Sequence, residues 1–351
     1  MAVKRLSISE FVSMMEQYPI LDVRSPSEYA HAHMKNAYSL PLFTDEERKV
    51  VGTAYKQQGK QPAIKLGLNY FGVKMASMVN EVEALLAASP DPSNKVLLVH
   101  CWRGGMRSAG VAWLLDLYGY TVYTLAGGYK AYRNWVLAQF NMEYPFKVIG
   151  GYTGSGKTET LHALQALNEP IIDLEGLAHH KGSTFGNLGQ PVQPSQEHFE
   201  NLLAQSLYKI SQRQSYVWIE DESRRIGLVN IPPQLFEKIR KSKLYFLDIS
   251  FSERLQFILK GYGKFEKDKL MSAILRIKKR LGGLETKTAI NFLIEDDVES
   301  SFKILLTYYD KLYLKGAYNR ENAETLIHTI EVPTVDAAAN AAALLARAGL
   351  Q

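Results

Sequence analysis

Cysteine is all but missing: Cys101 is the only one in 351 residues. That excludes an intramolecular disulfide, a thioredoxin-like dithiol and any zinc site built from several cysteines. No second thiol of the chain can resolve an oxidised or persulfurated Cys101, so whatever it takes up must leave to a second substrate or an external thiol. Long apolar runs are missing too. None approaches a membrane span, and the residues after Met1 hold no apolar core of signal-peptide length. The expected compartment is the cytoplasm, with no membrane partner and Cys101 kept reduced. Charge of one sign is not in strong excess: 41 Lys and Arg against 36 Asp and Glu leave +5, which permits a polyanionic partner without requiring one. Low-complexity spacers and internal repeats are also absent. A hydrophobic content of 46% with 22% charged residues is that of a soluble globular protein. The length predicts about two domains.

The lone cysteine stands where the apolar run Lys95–His100 stops and the loop Cys101-Trp102-Arg103-Gly104-Gly105-Met106-Arg107-Ser108 begins. Adjacent glycines let several backbone N–H groups point at one spot, and Arg103 and Arg107 add positive charge. Val111, Leu114, Leu115 and Tyr118 then recur at helical spacing, with Gly119 as a stop. A cysteine over a helix N-terminus, among N–H donors and guanidiniums, should ionise easily. Cys101 is therefore the candidate nucleophile, in an anion cradle formed by Arg103, Gly104, Gly105, Met106 and Arg107. Around it, Ser7 and Glu10 read as a capping box opening a helix with Phe11, Met14 and Met15 inward. Ile20–Arg24 and Thr121–Leu125 read as strands. This alternation predicts a parallel α/β sheet over residues 1–140, with Cys101 at a strand's carboxyl end.

Near Gln139–Pro145 the pattern restarts. The strand Phe146–Gly150 runs into Gly151-Tyr152-Thr153-Gly154-Ser155-Gly156-Lys157-Thr158, a complete phosphate-binding loop, followed by a helix carrying Leu161, Leu164 and Leu167. The N–H groups of Gly151, Thr153, Gly154, Ser155 and Gly156 would cradle a diphosphate, Lys157 would bridge its oxygens and Thr158 would reach Mg²⁺. Tyr216–Ile219 is an apolar strand ending in Glu220, Asp221 and Glu222; acidic residues there suit a water-linked Mg²⁺, Glu220 and Asp221 being the candidates, although no direct metal-ligand cluster is legible. The segment 260–281 is basic. A helix there would bury Leu270, Ile274, Ile277 and Leu281 and turn Arg276, Lys279 and Arg280 outward, a face suited to RNA or simply to solvent. The P-loop domain is expected over 145–335, and the alanine-rich tail, 336–351, as a final helix.

Asp22-Val23-Arg24-Ser25-Pro26-Ser27-Glu28-Tyr29 resembles the first signature of rhodanese domains, the Cys101–Ser108 loop their active-site loop, and Leu125–Tyr129 their closing strand. The spacing from Cys101 to Arg107 is one residue longer than in sulfur-transferring rhodaneses. It matches rhodanese-fold and tyrosine phosphatases, whose loop encloses a tetrahedral phosphate. Joined to the phosphate loop, and with Asp173–Ala178, Gly182–Gly186 and Ile219–Arg224, the chain resembles the bacterial tRNA 2-selenouridine synthase family over most of its length.

The resemblance implies replacement of sulfur by selenium in wobble 2-thiouridine of tRNA, with selenophosphate as donor, and S-geranylation of the thiouridine by geranyl diphosphate. It implies that Cys101 either carries selenium covalently or positions the donor, that the phosphate loop holds the diphosphate, with Mg²⁺, and that Arg224, Arg225, Arg276, Lys279 and Arg280 are candidate tRNA contacts. The implied partners are tRNA and a selenophosphate-supplying enzyme, and a monomer or weak oligomer is expected. Two other functions fit the motifs: a cysteine phosphatase–kinase fusion, and a non-enzymatic nucleotide-dependent RNA switch.

Overall fold

A computed structural model describes residues 3–89, 91–211, 216–263 and 265–350. Lys264 of the basic segment and Gln351 of the tail lie outside the described residues. The chain divides into two units, Met1–Gln139 and Phe140–Gln351.

The first unit runs β1 (Lys4–Leu6), α1 (Ile8–Met14), β2 (Ile20–Asp22), α2 (Pro26–His31), β3 (Ala37–Ser39), α3 (Asp45–Gln57), α4 (Lys60–Ala87), β4 (Val96–His100), α5 (Met106–Leu117), β5 (Thr121–Leu125) and α6 (Gly128–Gln139). Its strands pair in parallel in the order β1-β5-β4-β2-β3. Ile20, Leu21, Leu97, Leu98 and Val99 are buried, as expected where helices cover both faces. Capping boxes start α1 (Ser7/Glu10), α2 (Ser25/Glu28) and α3 (Thr44/Glu47) by satisfying N–H groups that have no partner within the helix. In α1 the buried pair is Phe11 and Val12, with Met14 and Met15 only half-buried, because the helix is just seven residues long.

The second unit runs β6 (Phe146–Gly151), α7 (Lys157–Ala166), β7 (Ile171–Ile172), α8 (Leu174–Ala178), α9 (Gln196–Ser211), β8 (Val217–Glu220), β9 (Arg225–Ile226), β10 (Val229–Asn230), α10 (Pro233–Lys241), β11 (Lys243–Asp248), α11 (Phe251–Tyr262), α12 (Lys267–Arg276), α13 (Lys278–Leu281), α14 (Gly283–Ile294), α15 (Val298–Tyr318), α16 (Ala323–Leu326), β12 (Ile327–Glu331) and α17 (Ala337–Ala348). The parallel sheet has the order β12-β11-β6-β8-β7, and β9 and β10 form a small antiparallel hairpin. The chain reverses direction of winding about β6, and the loop after β6 lies at that switch point. The segment 270–281 is not one helix. It breaks at Ile277 (φ −99°, ψ 5°), burying Leu270, Ile274 and Leu281 while Ile277 stays half-buried. These residues and α14, α15 and Phe185 form an apolar core separate from that around Ile149, Trp218 and Leu247. The tail helix α17 packs on α7. Among the described residues no helix is long and apolar enough to cross a membrane.

Candidate active sites

In the first unit, Cys101 follows the central strand β4 and is 3% exposed. The loop after it closes on the β5–α6 corner, where Tyr129 N donates to Cys101 O at 2.8 Å and Lys130 N to Trp102 O at 3.0 Å. This approach needs glycine. A Cβ at Gly128 (φ +60°) would sit 2.3 Å from Gly104 N and 2.4 Å from Cys101 O. The Cys101 sulfur lies 3.3 Å from Ser108 Oγ, which also reaches Gly105 O at 3.1 Å. Burial opposes ionisation of the thiol. The Ser108 hydroxyl, N–H groups of Ser108 and Gly105 and the Arg107 charge outweigh it and hold the thiol below its usual range.

The two loop arginines part company. Arg103 is exposed at the rim. Arg107 is tied down: its Nη1 donates to Glu28 Oε2 at 2.8 Å, and Glu28 Oε1 also meets Arg48 at 3.2 Å. Burial would raise the Glu28 carboxyl, but Arg107, the Ser25 N–H and Arg48 pull it down to about 2. Met106 opens α5 and is 54% exposed. Beneath, Arg24 is 1% exposed, gripped by Asp22 and Ala32 O, with its guanidinium 3.7 Å from the Tyr129 ring centre.

In the second unit, Gly151–Thr158 wraps from β6 into α7. A Cβ at Gly154 (φ +81°) would lie 2.7 Å from Ile258, so the loop and α11 fit only through glycine. Lys157 Nζ donates to Gly151 O at 3.1 Å, a backbone contact it can exchange for a phosphate oxygen. Thr158 Oγ1 lies 2.9 Å from Glu175 Oε2 and 2.8 Å from Glu220 Oε2. One hydroxyl proton cannot serve two carboxylates, so a proton or a cation must bridge the second contact. Glu222 joins them, the three carboxylates presenting oxygens within 4.8 Å of one another. Burial, and then the neighbouring carboxylates, push Glu175 up to about 8 and raise Glu220 and Glu222 as well. Glu220 Oε1 is buried without a partner among the described residues. An oxygen-rich, over-charged pocket with an orphaned oxygen beside a threonine hydroxyl fits a hard divalent cation.

Of the expected strand-end residues the cluster takes Glu220 and Glu222, and it adds Glu175, giving a candidate ligand set that the sequence did not show. Asp221 is engaged elsewhere, ion-paired with Arg320 and accepting from Tyr313 OH at 2.9 Å. That same tyrosine oxygen accepts from Gly151 N at 3.1 Å, so Asp221 braces the phosphate loop. Glu175 lies on α8, and Glu222 follows β8 by two residues. Glu175 stands within the Asp173–Ala178 motif, the one signal that could have found it. Arg254 was also missed. Buried and bidentate to Asp310 at 2.8 Å, it holds Thr153 O at 3.0 Å. Arg224, Arg225, Arg276, Lys279 and Arg280 line one cavity of about 1700 Å³ together with Lys157, Thr158, Glu175 and Glu222. The five basic residues are exposed, so the cavity has a cationic rim over a phosphate loop.

A thiol held below its usual range at the end of β4 and a phosphate loop beside a carboxylate cluster give one chain two candidate active sites. Residues 7–134 match the rhodanese-like domain family, and residues 144–339 match the tRNA 2-selenouridine synthase AAA domain. The chain is 34% identical over 333 residues to the tRNA 2-selenouridine synthase of Hydrogenovibrio crunogenus, covering 86% of this chain and 89% of that one. It is 35% identical over 342 residues to that of a Sulfurovum strain, covering 87% and 90%. The protein belongs to the tRNA 2-selenouridine synthase family.

Proposed function

We propose that the two sites carry two consecutive steps on one nucleoside. The protein is an enzyme of tRNA modification that converts 2-thiouridine to 2-selenouridine. A thiocarbonyl sulfur is a poor leaving group, and alkylation turns it into one that departs as a thiol. In the first step the sulfur of wobble thiouridine attacks C1 of geranyl diphosphate, the C1–O bond breaks, and N3 loses its proton. The N–H groups of Gly151 and Thr153–Gly156, with Lys157, bind the departing diphosphate and favour the transition state in which its charge develops. Thr158, Glu175, Glu220 and Glu222 would hold Mg²⁺, which when bound supplies further charge neutralisation.

In the second step Cys101 and the cradle of Arg103, Gly104, Gly105, Met106 and Arg107 bind selenophosphate, a tetrahedral anion suited to the seven-residue span from Cys101 to Arg107. The Cys101 thiolate accepts the proton of hydrogen selenophosphate, and selenium adds to C2. The C2–S bond breaks and the proton leaves with geranylthiol. Water then cleaves the P–Se bond, giving phosphate and leaving N3 protonated. This route needs no reductant, whereas release of selenium from a selenylsulfide on the lone cysteine would. Arg224, Arg225, Arg276, Lys279 and Arg280 hold tRNA phosphates at the cavity rim. The functional division follows the two domains, 1–140 and 145–335, with α17 bracing α7.

The observation that carries the reading is the pairing, on one chain, of a thiol in an anion cradle with a phosphate loop facing a carboxylate cluster. Nucleoside mass spectrometry of tRNA from cells with and without the gene tests it. Deletion should remove 2-selenouridine and leave 2-thiouridine in its place. An unchanged selenouridine content would overturn it.

A further inference from the structure

Trp102 directly follows the buried thiol, yet it is 37% exposed. The indole is braced from inside the fold. Its centre lies 5.7 Å from that of Tyr129 at a tilt of 33°, and the Arg24 guanidinium stands 6.0 Å from it. Its backbone is pinned as well, since Trp102 O accepts from Lys130 N at 3.0 Å. The ring is therefore a held, partly open surface beside the cradle. Cations gather at the same loop. Arg103 is the next residue, Arg5 donates from β1 to Gly104 O at 3.3 Å, and Lys130 stands on α6 where its N–H meets Trp102. All three are exposed. Unlike Arg107, they form no ion pair among the described residues.

We propose that this surface presents the wobble nucleoside to the cysteine cradle: the base stacks on Trp102, and Arg5, Arg103 and Lys130 hold the phosphates that flank it. The proposal rests on the reading of the cradle as the site of selenium delivery. Selenium has to reach C2 of the base, so the base must lie against the donor, and the residue next to Cys101 is placed to hold it there. An indole offers a pyrimidine a flat apolar face and reads none of its hydrogen-bonding edge, so it accepts the base whether or not its sulfur is alkylated. Exposed cations beside an exposed ring match an unpaired nucleotide, which brings a base and phosphates together. An acidic protein surface would meet the cations and leave the ring unused. Each of the two sites then has its own hold on RNA.

Selenation of an anticodon stem-loop carrying S-geranyl-2-thiouridine by the full chain, with RNA and selenophosphate varied in turn, tests this. Trp102→Ala should raise the RNA concentration for half-maximal rate by about tenfold or more and leave the selenophosphate requirement unchanged. Trp102→Phe, which keeps a ring, should recover most of the loss. Arg5→Glu with Lys130→Glu should weaken RNA alone and lower its log–log salt slope by roughly 0.7 to 0.9 per lost contact. Alkylation of Cys101 by iodoacetamide, followed against pH, should give one profile for the unmodified protein and Trp102→Ala, which reports that the loop is intact. An unchanged RNA requirement in Trp102→Ala, or a loss that Trp102→Phe does not recover, overturns the platform. A displaced thiol profile with a raised selenophosphate requirement overturns it too, because Trp102 would then act by packing the loop. Should Cys101→Ser selenate this RNA as fast as the unmodified protein, the reading of the cradle beneath the proposal falls instead.

Discussion

Replacing Glu28 by Gln removes the anchor of Arg107, and the structure sets the size of the effect. Glu28 is 11% exposed and bridges Arg107 and Arg48 at 2.8 and 3.2 Å. Its carboxyl falls from 4.5 to about 2 in the fold. A depression of that size corresponds to about 3 kcal/mol of stability at neutral pH, as an upper bound. Because the folded value is the lower one, the stabilisation is fully present above pH 4.5 and is lost as pH falls towards 2. At pH 3.5 about 1.4 kcal/mol of it is already gone. Urea unfolding of the unmodified protein and of Glu28→Gln across pH 7 to 3 measures this directly. The gap between them should be widest at neutrality and narrow steadily with acid. A gap that stays constant across that range would mean that Glu28 acts through packing and that the Arg107 clamp is not electrostatic.

The carboxylate cluster has the opposite sign. With Glu175 raised to about 8, the cluster costs stability as pH rises from the usual glutamate range through 8, and a divalent cation should restore it. Mg²⁺ should therefore raise Tm more at pH 8.5 than at pH 6, and equal or absent shifts at both would speak against a metal there. Reversing the charges of Arg276, Lys279 and Arg280 should weaken tRNA binding and lower the log–log salt slope by roughly 0.7 to 0.9 per lost phosphate contact. Thermal stability should hold, since these side chains are exposed; an unchanged slope places the RNA elsewhere on the molecule.

The two loops were legible because each is continuous in the chain. Cys101–Ser108 and Gly151–Thr158 hold their own glycines, cations and following helix, so local spacing alone conveys their form. Of the carboxylate cluster, Glu220 and Glu222 stand together at one strand end in the sequence, whereas Glu175 reaches Thr158 only through the packing of α8. Nor does anything local show what holds Asp221, since its partners Tyr313 and Arg320 lie about a hundred residues away. The helix pair α3–α4 went unread although Ala63, Gly67, Phe71, Met78, Val82 and Leu86 follow helical spacing. Of the inward residues expected in the basic segment, Leu270, Ile274 and Leu281 are buried, while Ile277 sits half-buried at a break that nothing local marks.

The central claim is the assignment of alkylation to the phosphate loop and of selenium delivery to the cysteine cradle. Nucleoside analysis of tRNA from cells carrying Lys157→Ala or Cys101→Ser in place of the natural gene tests it most directly. Serine is nearly isosteric with cysteine but stays protonated near neutrality, so that variant should fold, bind tRNA and accumulate the S-geranyl nucleoside without 2-selenouridine. The Lys157 variant should leave plain 2-thiouridine. The two products exchanged between the variants, or 2-selenouridine persisting in Cys101→Ser, would contradict the account.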